Sequence, residues 1–395
     1  MPAERMPDCE KPASDLMLRF TTLITLVTPI LAAAKPDFTT LDSFLQKSVE
    51  EGTVAGGSVL ILHQGEVVHQ TGFGYSDLES KTPFPADAPV IIASISKPIL
   101  ATAAFRLVEK DKLDMAAPIS TYLEKFKNSK LESGEPLNRP PTIGELFTHT
   151  SGMRNDEAPG GRPWFRTWVK GKPLSEVIDR FATEFPFKAQ PGTRYAYSGI
   201  GTDVAARVLE VTSGQPRNRL LVNEVTQPLG MTKTFYLDAD SLKQTGPMPS
   251  RYYHDKKGHL ALLPKRFTPP PQTYSPSGGT IISTASDLAR WLLMIRNKGQ
   301  HQEKAYLSPD TISLMLTRFP KSNNAHGGLF VRRKHANGKG FRFGHTGSSG
   351  TNCWIDFEND IIGIVLTQTT GQDTPDFRPA YEKLVTECLK NSVEK

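Results

Sequence analysis

Strand-like sequence lies near both ends of this chain, and helical sequence lies between. Gly57-Ser58-Val59-Leu60-Ile61-Leu62 and Glu66-Val67-Val68-His69 are two strand-like runs joined by the hairpin signal Gln64-Gly65. The remaining strand candidates come late, at Gly328–Arg332, Phe341–Gly344, Asn352–Phe357 and Ile361–Thr367. Between the two groups, apolar residues recur at helical spacing through Ile99, Leu100, Ala103 and Leu107, then over Leu174–Phe181 and Thr202–Thr212. Ser286–Arg296 and Ser308–Thr317 also read as helices, each with a Ser at its start for capping. Phe38–Val49 and Pro379–Leu389 are helical at the two ends. This arrangement predicts one antiparallel sheet assembled from N- and C-terminal segments around a helical insertion at about residues 78–280.

With 395 residues, 38% hydrophobic and 22% charged, the chain is globular in composition and long enough to bury a core without disulfides or metal. Its net charge of +6 is spread along the chain, which argues for an ordinary solvated surface and against nucleic acid as a partner. Nine His without HExxH and three Cys without CxxC make a structural zinc site a poor reading.

The first 34 residues stand apart. Arg19 precedes an uncharged apolar stretch, Phe20–Leu31, which ends in Ala32-Ala33-Ala34. That is the pattern of a secretory signal peptide cleaved after Ala34, with Met17 a candidate start. The stretch is too short to span a bilayer comfortably, since about 20 apolar residues are needed. The expected product is residues 35–395, exported to the periplasm or secreted, with no stable membrane span. Cys353 and Cys388 remain in it, either paired or as buried thiols.

Three short motifs carry chemistry. Ser94-Ile95-Ser96-Lys97 opens a helix, and residues three apart on a helix share a face, so Lys97 reaches the Ser94 hydroxyl. A serine nucleophile needs a base, and a desolvated lysine can serve as one. The motif alone is weak, and Ser392-Val393-Glu394-Lys395 on the tail is a decoy of the same form. The second motif, Tyr195-Ala196-Tyr197-Ser198-Gly199, follows a Pro191-Gly192 turn and presents the Tyr197 hydroxyl as a candidate proton relay. The third, Gly344-His345-Thr346-Gly347-Ser348-Ser349-Gly350, lies between two strand candidates, where its glycines admit a substrate backbone.

In this order, the three motifs resemble those of the serine β-lactamase and penicillin-binding protein family, in its class C-like branch with DD-peptidases and esterases. Further similarity lies in Gly72–Asp77, Leu146–Met153 and Gly278–Thr284, so the resemblance covers about residues 38–390. It implies an α/β (α+β) fold of the β-lactamase/transpeptidase type, a five-stranded antiparallel sheet flanked by helices. It also implies that Ser94 is acylated by an ester or amide carbonyl, with Lys97 and Tyr197 sharing the acid and base work. The backbone N–H groups of Ser94 and Ser348 would form the oxyanion hole, and His345, Thr346 and Gly347 would hold the substrate. No cofactor or metal is implied. The substrate is expected to be a small molecule or peptide: a β-lactam, a peptidoglycan stem peptide or an ester. His149 and Glu145 are left outside the site, because in such families their loop supports the fold.

One departure bears on substrate. The family's Y-x-N asparagine is Gly199 here, which removes a contact to the amide side chain of a β-lactam or stem peptide. An ester or unusual peptide substrate gains weight. The alternative reading is a pseudoenzyme that binds peptidoglycan or peptide without turnover.

Overall fold

The computed structural model describes residues 35–154, 168–263, 273–318, 321, 330–334, 341–370 and 377–390. The expected signal segment and the decoy motif at Ser392–Lys395 lie outside the described residues.

Seven strands form the central sheet: β1 (Gly56–His63), β2 (Glu66–Asp77), β3 (Thr82–Pro83), β4 (Val331–Lys334), β5 (Phe341–Thr346), β6 (Asn352–Asp356) and β7 (Ile361–Thr367). Their spatial order is β4-β5-β6-β7-β1-β2-β3, with every neighbour antiparallel. The sheet is therefore wider than the expected five strands. The difference lies at its edges, where β3 is two residues long and β4 is Val-Arg-Arg-Lys, and neither carries a clear apolar alternation. Gln64 and Gly65 both take positive φ (54° and 88°), the backbone that a tight hairpin between twisted strands requires.

The first and last strands meet at the centre, with Val59 opposite Val365 and Ile61 opposite Gly363. Both faces of β1 are covered, which explains its unbroken apolar run. Val59 and Ile61 point to helices α1 (Thr39–Glu50) and α6 (Phe377–Lys390), where Phe377, Tyr381, Val385 and Leu389 recur every fourth residue. Leu60 and Leu62 point the other way, into a larger core shared with Leu288, Trp291, Leu292 and Ile295 of α5 (Ala285–Arg296). Each such side chain stabilises the fold by about 1.5–3 kcal/mol on burial.

That larger core continues into α2 (Ser96–Val108), which is buried nearly all round, and into α3 (Leu174–Glu184) and α4 (Gly199–Ser213). Cys353 and Cys388 are free thiols buried in different clusters, on opposite faces of the sheet. Among the described residues no helix is long and apolar enough to cross a membrane.

Candidate active site

Ser94 stands where a short strand becomes a helix. Val90–Ile91 pairs with Ile281–Ser283, and the chain then makes a 3-10 turn, Ala93–Ile95, into α2. Two hydrogen bonds lock this junction: Ile92 N–H donates to Ile281 O (3.0 Å), and Ile281 N–H donates to Ser96 Oγ (3.1 Å). Ala93 has φ 49°, a left-handed backbone that costs a non-glycine residue about 1–3 kcal/mol. The surroundings impose it. The turn after β5 presses on this point: Ser349 Oγ donates to Ile91 O (2.7 Å) and Thr351 Oγ1 to Ile92 O (3.0 Å).

Two donors converge on the Ser94 hydroxyl. Tyr197 Oη donates to Ser94 Oγ at 2.8 Å, and Lys97 Nζ approaches the same oxygen at 3.3 Å. Lys97 is only 3% exposed, and among the described residues no carboxylate forms an ion pair with it. Its ammonium is held instead by Gly278 O at 2.8 Å and by the Tyr197 ring, whose centre is 4.7 Å away. Ser94, Lys97 and Tyr197 thus form one contact group drawn from the start of α2 and the loop before α4.

The third motif forms the opposite wall. His345 is the next-to-last residue of β5, opposite Cys353, and its Nδ1–H donates to Thr346 O at 2.7 Å. Burial first, and the Lys97 charge second, hold its pKa at about 3, so the ring is neutral. Thr346 is half-buried, Gly347 is buried in the turn and Ser348 is exposed. Arg378 of α6 donates to Gly347 O at 3.3 Å.

The family model described as Beta-lactamase matches residues 41–387. The chain belongs to the β-lactamase family. It is a serine hydrolase of that family. Among its relatives, esterase EstB of Burkholderia gladioli is 29% identical over 283 residues, covering 65% of this chain and 69% of the esterase. The D-alanyl-D-alanine-carboxypeptidase/endopeptidase AmpH of Escherichia coli (strain K12) is 27% identical over 245 residues, covering 61% of this chain and 57% of AmpH. Among solved structures, EstCE1, described as a hydrolase with promiscuous acyltransferase activity, matches with a TM-score of 0.72 at 23% identity. That match covers 88% of this chain and 97% of EstCE1 and establishes the β-lactamase fold here.

Beside Gly199, the Ser198 hydroxyl is engaged within its own surroundings. It caps α4 by accepting from Gly201 N–H (2.9 Å) and donates to Arg154 O (2.8 Å). Gly199 itself is the first residue of α4 and half-buried.

Two site features lie outside the three motifs expected to carry the chemistry. Gly278 supplies the carbonyl that holds Lys97, and a Cβ on it would lie 2.8 Å from Nζ and 3.0 Å from Cε and Cγ. Its loop is fixed from below by buried Asp203, whose carboxylate accepts from Ser277 N–H (2.6 Å) and Tyr274 OH (2.8 Å). Arg217 also donates into this loop, to Ser275 Oγ and Ser277 Oγ, both at 2.7 Å. The second feature is His149, whose ring lies 4.5 Å from that of Tyr197. Glu145 is engaged in a capping box with Thr142 and in paired hydrogen bonds from Arg139.

Proposed function

We propose that this β-lactamase-family protein cleaves an ester, amide or peptide bond through an acyl-enzyme on Ser94. The observation that carries this reading is the pair of hydrogen bonds converging on Ser94 Oγ from Tyr197 and Lys97. In the proposed reaction Oγ attacks the carbonyl carbon and its proton passes into the Lys97–Tyr197 pair. That pair returns the proton to the leaving oxygen or nitrogen as the old bond breaks. Water then attacks the acyl ester and restores the hydroxyl.

The amides of Ser94 and Ser348 are assigned to the oxyanion, a role whose removal typically costs about 3–4 kcal/mol. Neutral His345, with Thr346 and Gly347, is assigned to substrate positioning. Because Nδ1 carries the ring hydrogen toward Thr346 O, Nε2 is left as an acceptor. It suits a substrate N–H or O–H better than a carboxylate.

Ester or small peptide substrates fit better than β-lactams. Gly199 offers no amide side chain, and the Ser198 hydroxyl is already used as a cap. The names of EstB and AmpH, an esterase and a carboxypeptidase/endopeptidase, lie within this range. Export is part of the proposal, supported by Arg19, the uncharged Phe20–Leu31 stretch and Ala32-Ala33-Ala34. N-terminal sequencing of the exported product is expected to begin at Lys35.

Intact-mass spectrometry with a fluorophosphonate and a fluorescent penicillin tests the chemistry. The expected result is an adduct on Ser94 that disappears in Ser94→Ala, together with turnover of p-nitrophenyl acetate. A stable adduct without turnover would favour the binding pseudoenzyme. No adduct from either probe overturns the acyl-enzyme reading.

A further inference from the structure

His149 grips Tyr197 from three sides. Its carbonyl accepts from Ala196 N–H at 2.8 Å, and its ring Nδ1 accepts from Ser198 N–H at 3.2 Å. The residues on either side of Tyr197 are therefore both tied to one histidine. The third hold is ring contact, with centroids 4.5 Å apart and planes tilted by 43°. Tyr195 closes the other edge of the histidine at 5.9 Å and 84°.

Several features make this placement costly. The ring is buried, and among the described residues its Nε2 has no hydrogen-bond partner. The backbone at His149 has φ 56°, the left-handed region, which His enters more readily than most residues. Because Nδ1 accepts a hydrogen bond, the ring hydrogen is on Nε2, where burial exposes it to a desolvation penalty. Burial first, then Lys97 and His345, holds the imidazole well below its usual pKa, so it stays neutral beside the Lys97 ammonium. A residue serving only to fill space would not need the stranded N–H.

We infer that His149 is a positioning residue that holds the Tyr197 hydroxyl on Ser94 Oγ. The inference rests on the proposed part of Tyr197 in the reaction. The geometry defines its parts: the Nδ1 acceptor sets the backbone at Ser198, and the ring face sets the tilt of the phenol. Lys97 lies over the Tyr197 ring, so a phenol that tilts also loses its hold on the ammonium.

A double-mutant cycle on the full chain tests this with p-nitrophenyl acetate turnover and the rate of Ser94 labelling by a fluorophosphonate. His149→Asn keeps an acceptor and tolerates the left-handed backbone but removes the ring. His149→Phe keeps a ring and removes the acceptor. Each is expected to lower kcat about tenfold with KM within about twofold, and in a Tyr197→Phe background the same changes are expected to cost less than about twofold. Equal losses in both backgrounds would show a merely structural role and overturn the proposal. If Tyr197→Phe alone keeps full activity, the assigned part of Tyr197 fails, and the positioning role fails with it. A measurement on unsubstituted protein stands apart from folding of the variants. Nitrogen NMR of labelled histidine is expected to show His149 as the Nε2–H tautomer, and an Nδ1–H signal would overturn the grip on Ser198.

Discussion

A methyl group on Gly347 would stand 3.0 Å from the Cβ of Ala93, so the turn after β5 touches the residue before Ser94 across a gap that admits only hydrogen. The same methyl would lie 2.2 Å from Thr351 Oγ1 and 2.4 Å from Ile92 O. This contact helps explain why Ala93 keeps its left-handed backbone, because the turn leaves the segment no room to relax. Gly347→Ala is expected to cost about 1–3 kcal/mol of stability, the range for overpacking a core. It is also expected to slow fluorophosphonate labelling of Ser94 at least about tenfold, since displaced reacting groups lose rate steeply. Thermal melts and timed labelling check both, and wild-type labelling would mean the turn has space to spare.

Gly278 and Gly279 are adjacent but predict opposite outcomes. A Cβ on Gly278 meets Lys97 Nζ at 2.8 Å, whereas one on Gly279 has nothing within 4 Å. Gly278→Ala should displace the ammonium and lower kcat by about tenfold or more, with KM little changed. Gly279→Ala should leave kcat and stability within about twofold and 0.5 kcal/mol of wild type. Steady-state kinetics on the pair checks the contrast. Equal effects would refute this account of how Lys97 is held.

Lys97→Met removes the ammonium while nearly preserving the volume. Without it Ser94 lacks one of its two partners, and labelling is expected to fall by about 10²–10⁴, the usual contribution of a general acid or base. The fold should persist, because loss of the bond to Gly278 O is offset by removal of a buried cation without a carboxylate partner. Adduct counting by intact mass, alongside circular dichroism, separates lost chemistry from lost structure.

Acid should destabilise the protein through His345. The unfolded ring takes up a proton near pH 6.5, whereas the folded ring resists protonation down to about 3. Between those values the unfolded state binds more protons, so stability falls as pH falls, by at most about 1.4 kcal/mol per pH unit from this group. The contribution is complete above pH 6.5 and lost progressively toward pH 3. His149, shifted in the same direction, adds to the slope. Urea midpoints from pH 7 to 4 are expected to decline less steeply in His345→Gln, and parallel slopes would show that His345 does not titrate in this way.

Much of this was legible in the sequence where side chains repeat at a period or meet through a motif. The apolar run Gly57–Leu62 lies within β1, and the helical run Pro379–Leu389 lies within α6. Ser94, Lys97 and Tyr197 converge as their motifs imply. The seventh-strand width was hidden because edge strands such as Thr82–Pro83 bury little and need no pattern. The hold on Lys97 was hidden for a different reason: it comes from a backbone carbonyl, which every residue possesses. His149 stands outside the expected site because in the resembled families its loop supports the fold, and its contact with Tyr197 depends on two loops that meet only in the folded chain.

The pairing of β1 with β7 also governs when this enzyme comes into being. Gly57 cannot find Thr367 until about 300 further residues have left the ribosome. At roughly 5–20 residues per second, β1 waits on the order of tens of seconds for its partner. Through that interval β1 lacks the strand that pairs along one of its edges, and the turn that presses on Ala93 has not yet been made. A chain ending before β5 should therefore leave Ser94 without the turn that holds its neighbour in place.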